Sequence, residues 1–281
     1  MTSGEVKVRG NIPPSTQSLF FKNRCYRYNV PSYRVEPTPQ KPDERKNQSK
    51  LSKKERDTFI ATYDAINTGD LGKLVSWHAD MSHMMHSNMG PVGVQRFLPW
   101  HRAYLAELEN HLQAINPDVT IPYWDWAVDQ SIPAWISGFT PTVVGTNTPD
   151  IVFPIVVTRT PGLQVPNLPP QSDVDAVMAK TDYTDFTNSL EDGNFYDPAL
   201  QTAMHDQVHV WVGGPMSSIP VAPADPLFWM HHANIDRLWS MWQKQNPNKN
   251  PILSGANANM DPMNVTEQQT RDTLNFGYIY V

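Results

Sequence analysis

The chain has 281 residues, 22 lysines and arginines against 28 aspartates and glutamates, a formal charge of −6, and one cysteine. That length supports a sizeable core in one large domain or two small ones. The negative balance argues against nucleic acid or an anionic membrane as partner, and no apolar run is long enough to span a bilayer.

The lone Cys25 excludes an intrachain disulfide and turns attention away from thiolate metal sites. The charged start MTSGEVKVRGN offers no export signal, so a cytoplasmic location is expected. Residues 1–44 read as an irregular arm packed on a body that runs from 45 to 281; the arm carries several prolines and the aromatics Phe20, Phe21, Tyr26 and Tyr28. Ser52-Lys53-Lys54-Glu55 is a capping box. It opens a first helix that continues through Phe59, Tyr63 and Ile66 and is expected to end at Gly69. A second helix is expected from about Asp70, carrying Leu71, Leu74, Val75 and His78.

A third helix is expected to begin near Pro99, because proline suits the first helical turn, and to stop before Pro117. Along it His101, Leu105, Leu108, Leu112 and Ile115 recur at helical spacing and form one buried stripe. Seven prolines and several β-branched residues make 141–170 a loop with short strands. A helix over 199–211 sets His205 and His209 one turn apart on one face. Asp225-Pro226, an N-cap followed by proline, opens a last helix running to about Gln245.

All of the nine histidines except His111 fall in two clusters, His78, His83, His86 and His101, then His205, His209, His231 and His232. A buried histidine is more often held by one hydrogen bond and binds no metal, and an i, i+4 pair alone is weak evidence. Two clusters on apolar helices are stronger, since each can supply three imidazoles, borderline ligands suited to copper, zinc, iron or nickel. A zinc hydrolase would more often add a carboxylate or cysteine ligand and an open water position; this set is all-imidazole.

On FLPWHR, IPYWDW, HDQVHVWVGG and DPLFWMHHANIDRLW the chain resembles the tyrosinase and catechol oxidase family, the type 3 dicopper proteins. RKNQ at 45–48 and the terminal FGYIY are similar to the two ends of the bacterial catalytic domain, so the resemblance spans about residues 45–280. It implies a mainly α fold: a four-helix bundle enclosing two copper ions, with a loop-rich periphery and few short strands. It also implies dioxygen as co-substrate and small phenols as substrates, with ortho-hydroxylation of monophenols and oxidation of o-diphenols to o-quinones. The alternatives are a catechol oxidase or o-aminophenol oxidase with weak monophenol hydroxylation, and a haemocyanin-like oxygen carrier. An oligomer is compatible with each. The lid that follows this domain in many members is expected to be missing, since the chain stops at Val281.

Residue by residue, the resemblance implies His78 in SWHAD and His101 in LPWHR as copper A ligands, with a histidine between them. The position where many relatives carry that middle ligand is Val92 here, which leaves His86 and His83. His86 is preferred, because His83 follows His78 by only five residues and lies on or near the same helix. For copper B it implies His205, His209 and His232. Periodicity alone favours His231, which forms the better apolar stripe with Ile235, Leu238 and Trp242, so His231 stays an alternative. Asp236, one turn after His232, is expected to accept a hydrogen bond from that ring. Glu191 in FTNSLEDG is similar to the family's water-holding glutamate, its plain alternative being a solvated loop carboxylate. Asp206 stands where many efficient monophenol hydroxylases carry asparagine, so Glu191 and Asp206 are the expected proton-handling groups. Val210 and Ile219 are expected to line the substrate pocket, and Arg45, Tyr278 and Tyr280 to be architectural, with Arg45 near Asp236 or Arg237.

Overall fold

The computed structural model describes residues 41–66, 68–191 and 203–281; most of the expected arm, Cys25 included, lies outside them. In chain order β1 (Asp43–Arg45) is followed by α1 (Lys53–Asp64), α2 (Thr68–Ala79), α3 (Pro91–Ile115) and the one-turn α4 (Ala134–Ser137). The proline-rich stretch then forms one antiparallel pair, β2 (Thr142–Val143) and β3 (Ile155–Val156). Four helices follow: α5 (Gln171–Met178), α6 (Tyr183–Leu190), α7 (Met204–Val212) and α8 (Pro226–Gln245). A second antiparallel pair, β4 (Asn259–Met260) and β5 (Val265–Thr266), precedes β6 (Tyr278–Tyr280), which runs parallel to β1. The fold is mainly helical with few short strands, and α2, α3, α7 and α8 carry most of the clustered histidines. No helix among the described residues is long and apolar enough to cross a membrane.

Local chemistry explains the helix boundaries. The capping box forms at α1: Ser52 Oγ accepts from Glu55 N at 3.2 Å and Glu55 Oε2 accepts from Ser52 N at 2.7 Å. α1 ends at Asp64, short of Gly69, which sits in the first turn of α2. α3 begins at Pro91 rather than Pro99, so Pro91 is the first-turn proline and Pro99 lies inside the helix. An interior proline has no N–H for the carbonyl one turn back; the Tyr183 hydroxyl donates to that carbonyl, Gln95 O, at 3.2 Å. Leu105, Leu108 and Leu112 are fully buried, but Ile115 is 46 % exposed where the last turn runs past the core. α7 starts at Met204; positions 199–202 of the expected helix lie outside the described residues.

β1 starts one residue before the expected end of the arm, and its Arg45 ties β1 and β6 to the bundle. Arg45 is fully buried, donates to Glu109 Oε2 at 3.0 Å and to Tyr280 Oη at 3.1 Å, and lies over the Tyr278 ring. Asp236 on α8 accepts from Arg102 Nε at 2.5 Å and from the Tyr278 and Tyr280 hydroxyls, each at 2.6 Å. Burial, then the Asp236 charge, raises both tyrosines, so their hydroxyls stay protonated donors. Arg45, Arg102, Glu109 and Asp236 each have a charged partner here, which is the condition for tolerating buried charge.

Candidate metal centre

α2 brings in His78 and α3 brings in His101 from its buried face. Between them the chain makes two short 3-10 turns, and His86 caps the second, Ser87–Met89. Gly93 on α3 lets this loop approach: a β-carbon there would lie 1.9 Å from the His86 carbonyl oxygen. α7 supplies His205 and His209, one turn apart, and α8 supplies His231 and His232. His78, His86 and His101 each bring a ring nitrogen within 4.8 Å of the other two, and so do His205, His209, His231 and His232 among themselves. The rings of His101 and His232 stack at 4.4 Å, so the two groups are neighbours.

Each ring's tautomer follows from its partner. The Nδ1–H of His78 donates to Ile219 O at 2.8 Å, that of His101 to Phe97 O at 2.8 Å, and that of His209 to Met216 O at 2.9 Å. His86 Nδ1 donates to Glu191 Oε1 at 2.5 Å and His205 Nδ1 to Asp206 Oδ1 at 2.8 Å. These bonds leave a lone pair on the Nε2 of each of these five rings. Those lone pairs face one another: His78 Nε2 is 3.4 Å from His101 Nε2, and His205 Nε2 is 3.0 Å from His209 Nε2. His232 Nε2 stands 3.2 Å from His205 Nε2 and 3.3 Å from His209 Nε2. Acceptors at such separations repel unless a cation lies among them. Burial, reinforced by the neighbouring imidazoles, pushes His78, His101, His205 and His232 well below the usual histidine range, and burial takes His209 down to about 3. The rings are therefore neutral near pH 7, as metal ligation requires. His86 Nε2 is buried without a hydrogen-bond partner. The donor set fits two ions that prefer imidazole.

The other sequence candidates separate. His83 stands outside the first trio: its Nδ1 bonds Asp261 Oδ2 at 2.5 Å and its ring stacks on Trp100. His231 Nδ1 accepts from Trp126 Nε1 at 3.0 Å, which puts its proton on Nε2. Asp236 does not hold His232; the arginine and tyrosines described above occupy it, and His232 Nδ1 is buried without a partner. Glu191 is not a solvated loop carboxylate: it is 3 % exposed and also accepts from Ser87 N at 2.8 Å. Val210 is buried on α7, and Ile219 is half-buried, its carbonyl on His78. Phe97 and Phe228, both fully buried, pack against rings of both groups. Sequence reading passed over them, although each lies one turn before a histidine, in FLPWH and FWMHH.

Two imidazole trios side by side in a helical bundle define a protein that holds a pair of metal ions. The model for the common central domain of tyrosinase matches residues 70–153 and 146–245. A tyrosinase of Streptomyces antibioticus is 33 % identical over 255 residues, covering 82 % of this chain and 93 % of its own. Haemocyanin units G and H of Sepia officinalis are 29 % identical over 78 % of this chain and 41 % of theirs. The structure of a tyrosinase from Burkholderia thailandensis shares the fold, with a TM-score of 0.61 at 20 % identity over 85 % of this chain and 74 % of that one. The chain belongs to the tyrosinase family, whose type 3 copper oxidoreductases use two copper ions.

Proposed function

We propose that the protein is a phenol oxidase that hydroxylates monophenols at the ortho position and oxidises o-diphenols to o-quinones with dioxygen. His78, His86 and His101 would hold one copper, and His205, His209 and His232 the other. The observation that carries this reading is the set of facing Nε2 atoms, all but that of His232 turned inward by a bond at Nδ1. Bound copper supplies the redox chemistry: two one-electron metals together provide the electron pair that reduction of dioxygen needs.

The chain's own residues do the rest. The Ile219, Phe97 and Met216 carbonyls fix the tautomers of His78, His101 and His209. Phe97 and Phe228 exclude water from the space between the trios. A monophenol must lose its proton before its ring is attacked. Glu191 holds the ring of His86 and Asp206 that of His205, which puts a carboxylate behind one ligand of each ion. These two would be the groups that hold a water or take the phenolic proton. Val210, which follows His209 on α7, and Ile219 would line the substrate's approach and admit a flat phenol ring.

The test is oxygen uptake by the copper-loaded protein, first with an o-diphenol and then with L-tyrosine. Quinone from both, with a lag on tyrosine, is the expected result. Quinone from the diphenol alone makes it a catechol oxidase, and reversible oxygen binding with neither product makes it a carrier.

A further inference from the structure

Beside the first trio a line of aromatic rings leads away from the metal centre to the protein surface. Trp100 packs on His101 and His78 at 5.1 and 6.0 Å between ring centroids, and Tyr104 stacks on His78 at 5.9 Å. Tyr104 in turn lies 4.7 Å from Trp100 and 4.6 Å from Trp229. The Trp229 indole faces the Tyr63 hydroxyl, Tyr63 packs on Phe59 at 6.0 Å, and Phe59 meets Trp135 edge-on at 5.9 Å. The first five rings are buried, and Trp135 is half-buried. Packing accounts for large buried rings. What sets this line apart is its continuity from ligand rings to solvent and the chemistry of its polar ends. Trp100 Nε1 donates to Asp261 O at 2.8 Å, Trp229 Nε1 to Pro223 O at 3.0 Å, and Trp135 Nε1 to Gln48 Oε1 at 2.9 Å. These acceptors are carbonyls, too weakly basic to take a proton.

We infer that this line conducts oxidising equivalents away from the metal centre, with Trp100, Trp229 and Trp135 as its stations, an inference that rests on the dicopper reading above. When dioxygen or peroxide meets the copper pair with no phenol bound, the oxidant left there has no substrate to oxidise. An electron then passes inward from Trp100, which becomes a radical cation and is refilled from Trp229, and Trp229 from Trp135. A soluble one-electron donor, for which ferrocyanide is the probe, returns Trp135 to its resting state. For each electron that reduces the centre, one enters from solution. No bond forms or breaks along the line, and each indole keeps its proton. Tyr104 and Tyr63 are bridges rather than stations, because a tyrosine radical forms only with loss of the hydroxyl proton. Tyr104 Oη donates to Leu74 O at 2.6 Å, another carbonyl, and Tyr63 Oη is buried without an acceptor. Electrostatics sets the direction. Cations in the trios disfavour a positive charge on Trp100, where little water screens them. At the far end Gln48 accepts from Trp135 and donates through Nε2 to the Asp129 carboxylate, which favours positive charge on Trp135.

The experiment treats the copper-loaded protein with hydrogen peroxide in the absence of phenol and maps oxygenated side chains by peptide mass spectrometry, with the copper-free protein beside it. Oxygenated Trp135 in the copper-loaded wild type is expected to exceed that in the copper-free protein severalfold, and ferrocyanide should remove the excess. In Trp229→Phe, which keeps an aromatic ring in the core, the excess should disappear. Oxidation should then move back to Trp100 and the ligand histidines, with copper released sooner. Trp135→Phe removes the exit and should turn oxidation inward in the same way. Circular dichroism and the unfolding midpoint report whether each variant is folded, and Trp135→Phe, at the edge of the core, stands in if Trp229→Phe is not. Equal labelling of Trp135 with and without copper, or folded variants with the wild-type pattern, overturns the inference. Metal analysis separates this from the reading beneath it. A protein that binds no copper pair refutes both, whereas one that binds the pair and is oxidised only around its ligands refutes the relay alone.

Discussion

A single methyl group on α3 should empty copper site A. A β-carbon at Gly93 would lie 1.9 Å from the His86 carbonyl oxygen, about 1.5 Å inside the 3.4 Å at which ordinary contact begins. That oxygen cannot swing aside freely, because Met89 N donates to it at 3.0 Å. Gly93→Ala must therefore displace the His86 loop, the start of α3, or both. A metal constellation tolerates a misplacement of only about 0.5 Å, so the ring leaves its trio. Overpacking of this kind costs about 1–3 kcal/mol, less than the ~5–15 kcal/mol that holds a typical domain together, so the variant should fold. Copper per chain after dialysis should fall from two toward one. Gly90→Ala is the control: Gly90 has φ +85° but nothing within 4 Å of a β-carbon, so it suffers backbone strain of roughly 1–3 kcal/mol and keeps both ions. Two coppers retained by Gly93→Ala at wild-type affinity would refute the steric argument. Equal loss in both variants would assign the effect to strain near the loop.

His86→Ala should hold one copper and His83→Ala two, measured as metal content of purified protein; the reverse pattern would hand the middle position of site A to His83. Asp236→Ala leaves Arg102 and Arg45 buried beside a lost partner and should cost about 3–5 kcal/mol, whereas Tyr280→Phe removes two hydrogen bonds but keeps every charge paired and should cost less, about 1.5–3 kcal/mol. Chemical unfolding of the apoproteins ranks the two, and equal costs would mean that the Asp236 charge is not what ties β1 and β6 to the bundle. The Glu55 carboxyl is held down to about 2 by Lys46 and by Ser52 of the capping box. A lowered value stabilises the fold above the usual 4.5 and loses that contribution as pH falls toward 2. Glu55→Gln should thus flatten the acid limb of the stability curve by up to about 1 kcal/mol, since the side chain is 40 % exposed. An unchanged limb would place that acid sensitivity elsewhere.

Much of the fold was legible because its signals are local. Ser52 with Glu55, and Asp225 with Pro226, mark helix starts by chemistry within one turn, and both helices begin there. α3 was misread for the opposite reason. Pro99 carries the chemistry of a first turn, and only the distant Tyr183 hydroxyl makes it tolerable inside a helix. The histidine clusters were visible as residue types, but the ring geometry was not. Three of the Nδ1 acceptors are main-chain carbonyls, which any residue can supply, so Ile219, Phe97 and Met216 carried no mark of that duty. Asp236 misled because its spacing from His232 is right for a helix neighbour, while its true partners come from α3 and from the chain's C-terminal strand.

His231 and His232 show how little separates a ligand from a structural histidine. They are adjacent on one helix, both fully buried, and both depressed by burial. What differs is which ring nitrogen is committed. Trp126 donates to Nδ1 of His231, and an indole N–H can only donate, so the His231 proton must sit on Nε2 and no lone pair remains there for a metal. His232 receives no such bond, and its Nε2 lies among those of His205 and His209. One tryptophan in IPYWDW, far away in sequence, thereby decides between two histidines that periodicity ranked the other way.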